Sequence, residues 1–445
     1  MYRYPQDLYT DVRIEEKTTT FIHLKDYELA QNKTRKTIGA LIRVFDGDRW
    51  YYSSITGTQG VQAAIDELSK MAGRCPQIYE NETVKRLEVN REKCIRYEGR
   101  RLSDVSKADK LNLIKGYANV IRESGKARSS DVYYKGVYCL KRFMSSKGAD
   151  VEFDKQFCTV AARYAISVNE FPFNGSWNNV RVHFEDLFNN EAELINAVSR
   201  DVDYALNAVP VVPGDYTCIL SPAVAGVFAH ESFGHKSESD FMLGDESMRR
   251  EWRLGKQVGS PILNIIDSGI DEGLGYTYFD DEGCRARTNY IIKDGILTGR
   301  LHSAMTAAAL SEGVTGNARA IDFEYEPIVR MTSTWIGAGT QTKEELFSGV
   351  KEGLYIEDFN HGSGMSTFTI APRTAYMIRD GKIAQPVKIS VITGNVMRTL
   401  HEIDGVSDKV EMGSSAMGGC GKMEQQGLPV QFGGPYVRIN GIHAQ

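Results

Sequence analysis

A chain of 445 residues that is 42% hydrophobic and 25% charged has the make-up of an ordinary globular protein, long enough for roughly two to four domains. Its net charge of −5 gives no electrostatic footing for nucleic acid, and no apolar run approaches the roughly 20 residues of a membrane helix, so neither nucleic acid nor a membrane is expected as a partner. Seven cysteines are scattered singly with no C-x-x-C pair, and the N-terminus MYRYPQDLYTDVRIEEK lacks a signal-peptide core, which together read as a cytoplasmic, reducing location without a disulfide framework.

Residues 1–58 read as strands. Val12–Glu16, Thr20–Leu24 and Ile38–Phe45 are β-rich, and a turn at Asp46-Gly47-Asp48 leads into Trp50-Tyr51-Tyr52. Val61, Ala64, Ile65, Leu68 and Met71 carry a helical stripe. Ser106 with Asp109 opens a second helix, with Leu111, Ile114, Val120 and Ile121 on its apolar side. Val132–Ile166 returns to strand patterning, and Glu191–Leu206 is a third helix. Pro210, Pro213 and Gly214 break the pattern, which divides the chain into an N-terminal domain of residues 1–208 and a C-terminal domain of 209–445. The second begins with a strand at Tyr216–Leu220 and is mainly β after about residue 250, with hairpin signals at Lys293-Asp294-Gly295 and Asp380-Gly381-Lys382 and short helices at Leu301–Leu310 and Thr342–Gly353. The fold class is therefore α+β: an α/β first domain of strands with flanking helices, and a mostly antiparallel β second domain with one notable helix near its start.

That helix lies in Leu220–Lys236, LSPAVAGVFAHESFGHK. Ser221 and Pro222 are a helix-start signal, and Val224, Val227 and Phe228 follow at helical spacing. His230, Glu231 and His235 then form H-E-x-x-x-H, whose two imidazoles and carboxylate point to a catalytic zinc site. Histidines four apart on a helix lie about 40° from each other, whereas five apart they lie about 140° apart. Gly234 precedes the second histidine, so the helix is expected to fail there and swing His235 back toward the metal. Glu231 is placed to act as general base on a zinc-bound water.

A catalytic zinc takes three protein ligands. His23, His183, His302, His361, His401 and His443 have no marking context, and Cys420, in Gly418-Gly419-Cys420-Gly421-Lys422, is not singled out by spacing alone. His302, His361 and Arg373 are polar candidates for stabilising an oxyanion. Asp280-Asp281-Glu282-Gly283 reads as a turn, with orientation of ligands as the alternative. The stretch His361–Thr367 leads into Phe368–Ile370, read either as an edge that pairs with an extended peptide or as a tight connection without a ligand.

The HExxxH helix, Tyr278–Gly283 (YFDDEG), Thr315-Gly316-Asn317, Pro327–Met331 (PIVRM) and the closing Gly-Cys-Gly-Lys together resemble the TldD side of the TldD/PmbA family, most strongly from about Tyr216 onward. That resemblance implies a family of modulators of DNA gyrase inhibitors and microcin-maturing metallopeptidases. It implies zinc ligands His230, His235 and Cys420, with Glu231 as the catalytic carboxylate. It also implies a dimer, either with a PmbA/TldE-like partner, which lacks HExxxH, or with a second copy. The tail departs from the family in Gly421–Gly427 (GKMEQQG), where a glycine is usual soon after the lysine. The function expected is a zinc-dependent metallopeptidase acting on unfolded or leader peptides; the alternatives are a non-catalytic binding or scaffold subunit and a hydrolase of non-peptide amides.

Overall fold

The computed structural model describes residues 2–168, 171–414 and 416–445. Strand β1 (Tyr9–Lys25) is one unbroken run of 17 residues. The gap expected between Glu16 and Thr20 is filled by Lys17-Thr18-Thr19, whose β-branched threonines favour extended backbone and whose pairing continues on both sides. Asp26 and Tyr27, with φ of 47° and 74°, turn the chain into β2 (Glu28–Phe45). With β3 (Trp50–Thr56), β4 (Arg91–Cys94), β5 (Ser129–Ser145) and β6 (Asp150–Val168) these strands form a sheet in the order β3-β2-β1-β5-β6-β4, and β7 (Phe171–Arg181) pairs along the rest of β6.

Alternation along the strands gives this sheet two different faces. One is apolar and covered by helices α1 (Val61–Met71), α3 (Lys107–Ser124) and α4 (Glu191–Asn207), of which α1 meets Ala40, Ile42 and Val44 through Val61, Ile65 and Leu68, while the short α2 (Glu82–Arg86) packs through Val84 on Tyr9 and Phe45 of the opposite face. Ile114, Tyr117 and Ile121 of α3 and Leu194 and Val198 of α4 pack on Val132, Tyr134 and Val160. The other face carries Asp11, Arg13, Glu15, Arg43 and Lys141, all buried beneath the second half of the chain. Asp280–Gly283 is the turn expected, closed by the Gly283 N–H donating to the Asp280 carbonyl at 3.2 Å. Its side chains do more than turn. Lys141 Nζ lies 2.6 Å from Asp281 Oδ1, and Arg43 Nη1 lies 3.2 Å from Glu282 Oε1. Arg13 donates to the carbonyls of Asp322 and Tyr325 at 2.7 and 2.8 Å, and the ring of Phe323 lies where a Cβ on Gly39 would stand, at 2.2 Å. The seam between the halves is thus a fitted charged contact, with buried charges placed opposite partners.

After β8 (Val209–Pro210), strand β9 (Gly214–Leu220) joins Glu352–Gly364, Thr367–Arg379, Ile392–Asn395 and Val437–Ala444 in a sheet whose pairings close into a ring. A second sheet runs Ile296–Leu297, Thr288–Lys293, Ile265–Ser268, Ser333–Ile336, Gln431–Gly434, Glu411–Gly413. Most pairings are antiparallel, as expected; β8 with Lys382–Lys388, β9 with Glu352–Gly364 and Ser333–Ile336 with Gln431–Gly434 are parallel. The Asp294-Gly295 and Asp380-Gly381 turns form where expected, with positive φ at all four residues. Two expected helices are shorter: Ala304–Leu310, capped by Ser303, and Lys343–Ser348, capped by Thr342, because the chain re-enters a strand at Glu352. Between the ring and the second sheet lies α5 (Pro222–Ala229).

Candidate metal centre

Helix α5 starts as its sequence dictates. The Ser221 hydroxyl accepts from the Val224 N–H at 3.3 Å and donates to the Glu357 carbonyl, and Pro222 occupies the first turn, where its missing N–H leaves nothing unpaired. Every residue of α5 except Ala223 is buried. Gly226 permits this: a Cβ there would stand 2.5 Å from the Gly433 nitrogen, so helix backbone rests on strand backbone.

The helix does not fail at Gly234. That residue keeps right-handed torsions of φ −55° and ψ −58°. Instead His230–Gly234 widens into a single π turn, and the His235 N–H bonds back to the His230 carbonyl, five residues earlier. In such a turn residues i and i+5 stand in the relation of i and i+4 in an α-helix, which places both histidines on one side. Their ring centroids lie 5.1 Å apart at an interplanar angle of 78°. Gly234 is required for a different reason from the one expected: a Cβ there would lie 1.8 Å from Met331 Sδ, and Met331, in the PIVRM segment, is fully buried.

The distant cysteine arrives on a short hairpin, Cys420–Lys422 against Gln425–Leu428. Arg330 donates to the Cys420 carbonyl at 2.6 Å. The departure from the family pattern falls in the hairpin turn, where Met423 adopts φ 51°, a conformation glycine enters without strain. His230, His235 and Cys420 each present a ligand atom, and these atoms lie within 4.8 Å of one another. Cys420 Sγ is 3.5 Å from His235 Nε2, and His235 Nδ1 is 3.0 Å from Glu238 Oε2.

The electrostatics suit a cation. Burial would raise the Cys420 thiol, but the adjacent His230 and His235 outweigh it and bring it down to about 5, which favours the thiolate. Burial would lower His235, but its hydrogen bonds to Cys420 and Glu238 carry it up to about 10. His230 Nδ1 is buried without a hydrogen-bond partner. Two imidazoles and a thiolate, with a carboxylate orienting one imidazole, are a donor set of the kind zinc takes. Burial raises the Glu231 carboxyl, against the pull of His230 and His235. The strand Glu352–Gly364 passes over Glu231, and glycines make room for it: Cβ atoms on Gly362 and Gly364 would stand 3.4 Å from Glu231 Cγ and 3.1 Å from its carbonyl oxygen.

A cleft of about 810 Å³ runs between β7 and the second half, walled by Ala223 of α5, Glu357–Asn360 and Phe432. The Phe432 ring lies 6.2 Å from that of His230, so this wall reaches the histidine's neighbour. The pairing expected at Phe368–Ile370 is corrected: that segment is flanked on both sides, by Gly362–Gly364 and by Ile392–Gly394. The one-sided segment is its neighbour, since among the described residues Asp358–Gly364 pairs only with Thr367–Arg379.

The oxyanion candidates separate. His302 is fully engaged elsewhere, with Nδ1 3.0 Å from Ser239 Oγ and Nε2 3.0 Å from Glu312 Oε2. Arg373 is locked to Asp201 at 2.9 Å and to Asp358. His361 is exposed, beside Gly362 over Glu231. Sequence reasoning missed Glu238, Asp240 and Lys422, which join the two ligand-bearing segments: Lys422 Nζ lies 3.1 Å from Glu238 Oε2, 2.7 Å from Asp240 Oδ1 and 2.8 Å from the Val329 carbonyl. Their only sequence signal is position, a few residues beyond a candidate ligand.

Residues 213–445 match the family model for the PmbA/TldA metallopeptidase C-terminal domain, and residues 10–72 match that for PmbA/TldA metallopeptidase domain 1. The chain belongs to the PmbA/TldD family. A metalloprotease of Synechocystis sp. is 32% identical to it over 98% of this chain and 94% of that one. A zinc metalloprotease TldD homolog of Saccharolobus solfataricus is 33% identical over 57% of this chain and 56% of its own. Among solved structures, TldE from Thermococcus kodakarensis superposes with a TM-score of 0.78 at 17% identity, covering 98% of this chain and 96% of that chain, which bears out the α+β fold. No helix among the described residues is long and apolar enough to cross a membrane.

Proposed function

We propose that this PmbA/TldD family member is a zinc metallopeptidase of unfolded or leader peptides, with His230, His235 and Cys420 holding the metal and Glu231 moving the proton. The convergence of those three ligand atoms within 4.8 Å carries the reading. The names of the relatives support metalloprotease chemistry, and one of those names specifies zinc.

Zinc held there supplies a Lewis acid for the scissile carbonyl and makes water easier to deprotonate. Glu231, next in sequence to His230, accepts the proton of the attacking water and returns it to the leaving amine. Glu238 fixes the orientation of His235 from behind. An extended peptide adds to the one-sided edge of Asp358–Gly364, giving main-chain hydrogen bonds that do not depend on side-chain identity. This reading includes a cytoplasmic location, folding units of 1–208 and 209–445, and a second subunit, either a PmbA/TldE-like partner or another copy of this chain. The likeness to a TldE fold and the seven free cysteines are consistent with it.

The test is hydrolysis of unstructured peptides by the zinc-loaded protein. Chelation should abolish cleavage and zinc should restore it, while Glu231→Gln should reduce turnover about 10²–10⁴-fold with zinc content unchanged. Equal turnover by the Gln variant would remove Glu231 from the mechanism, and cleavage that survives chelation would remove the metal.

A further inference from the structure

On the inner side of the cleft, between the charged face of the first sheet and the second half of the chain, lies a separate cavity of about 40 Å³. It shares Phe157, Gly273 and Leu274 with the cleft, so these residues form the partition between the two spaces. By the volume one water requires, it accommodates about three water-sized groups, the size of a carboxylate. Leu428, part of its wall, is the strand partner of Cys420.

Three lysines and one glutamate supply the charge of that wall. The sheet register sets Lys17, Cys139 and Lys155 side by side across β1, β5 and β6. Glu15 is shared between Lys141 at 3.2 Å and Lys17 at 3.7 Å, and Lys141 is further satisfied by Asp281 at 2.6 Å. Lys17 also donates to the Ile321 carbonyl. Lys155 alone has no hydrogen-bond or ion-pair partner among the described residues; its charged neighbours are the cations Lys141 and Arg319 and the Asp281 carboxylate, which Lys141 already engages. Burial, with those cations adding to it, brings the Lys155 ammonium down to about 7. Cys139 offers no counter-charge, because burial pushes its thiol up to about 12. With three lysines against one glutamate, the wall holds more positive than negative charge, which favours an anion within it.

We propose that the cavity at Lys155 is a subsite for a carboxylate of the peptide substrate, anchoring an acidic side chain or the chain terminus inward of the cleft while the neighbouring backbone lies along it. This rests on the peptidase reading and adds a preference to binding that is otherwise blind to side chains. Lys155 donates to the carboxylate, and Lys17 stands beside it as the second cation. The phenyl ring of Phe157 and the side chain of Leu274 separate the subsite from the open cleft, which keeps the charge-assisted hydrogen bond out of bulk water.

The test uses zinc-loaded Glu231→Gln protein, so that binding is read without cleavage, and four forms of one unstructured peptide. The forms carry an internal Asp or Asn and end in a free carboxylate or an amide. Replacing one of the two carboxylates is expected to weaken binding about 10-fold or more. The Asp/Asn pair and the acid/amide pair identify which carboxylate is responsible. Adding Lys155→Met should erase that difference, and Lys155→Arg should keep it. Lys155→Met removes an unpaired cation, so its thermal unfolding temperature should equal or exceed that of the parent. Equal binding of all four peptides, or a preference that survives Lys155→Met, overturns the subsite. If Glu231-containing protein cleaves the peptides while either of those results holds, only the subsite falls. If no peptide is bound or cleaved, the peptidase reading falls with it.

Discussion

Lys422 Nζ lies 3.1 Å from Glu238 Oε2, and that same oxygen lies 3.0 Å from His235 Nδ1. Lys422 is two residues beyond the candidate thiolate, and Glu238 is three beyond the second histidine. Their side chains are 2% and 0% exposed, so the pair acts where water does not screen it. One ammonium therefore sets the position of the cysteine hairpin relative to the histidine turn.

Lys422→Met should weaken zinc retention about 10–100-fold, the range found when groups orienting metal ligands are removed. Competition against a chromophoric chelator measures this, with far-ultraviolet circular dichroism checking the fold. Glu238→Gln should move affinity in the same direction. Unchanged affinity in both variants would show that the hairpin is placed by other contacts.

Cys420→Ala should lose zinc when dialysed alongside the parent protein. In cobalt(II)-substituted protein the thiolate-to-metal charge-transfer absorption should be present in the parent and missing in the variant. A variant that retains the band would exclude Cys420 as a ligand.

Gly234→Ala forces a methyl group to a point 1.8 Å from Met331 Sδ. Overpacking of this kind costs about 1–3 kcal/mol, read as a drop in the urea midpoint. Met331→Ala should relieve part of that loss, so a double-mutant cycle should return a coupling energy between the positions. Strict additivity would mean that the backbone, and not Met331, excludes the methyl group.

Asp281 is buried, which would raise its carboxyl, but Lys141 and Arg13 outweigh burial and hold it well below the usual carboxylate range. A depressed folded-state pKa contributes stability that is fully present above the unfolded value, near pH 4, and is lost as pH falls below it. Asp281→Asn should lower stability at pH 7 by about 3–5 kcal/mol, because Lys141 and Arg13 lose their shared partner. Its urea midpoint should then fall less steeply than the parent's between about pH 4 and pH 2. Parallel curves would place the acid sensitivity in other carboxylates.

The parts of the fold carried by local chemistry were legible in the sequence. The Ser221-Pro222 helix start, the Asp294-Gly295 and Asp380-Gly381 turns and the helices α1, α3 and α4 each depend on near neighbours and formed where expected, although Met71 at the end of the α1 stripe is exposed and Leu111 and Val120 of the α3 stripe are only half-buried. What depended on distant contacts was not legible. The continuity of β1 through Lys17–Thr19 comes from pairing with β2 and β5, and the role of Gly234 comes from Met331, nearly a hundred residues away. Asp281 reads locally as a turn residue because its partners Lys141 and Arg13 lie in the other half of the chain. Cys420 was reachable only through family resemblance, since a hairpin near the end of the chain gives no local sign of facing a helix that begins at Pro222.

The wide turn at His230–Gly234 also absorbs a phase shift. It contains one residue more than an α-helical turn, and one residue on a regular helix amounts to about 100° of rotation. Deleting Ser232 and restoring regular winding would leave two histidines four apart, still on one side, in the commoner spacing. Because the wide turn takes up the extra residue, His235 and the chain after it keep the phase of a regular helix, and Glu238, three residues on, faces His235 as it would with the commoner spacing. The unusual spacing is thus cancelled within the one turn that contains it, and the carboxylate that steadies the second histidine does not depend on it.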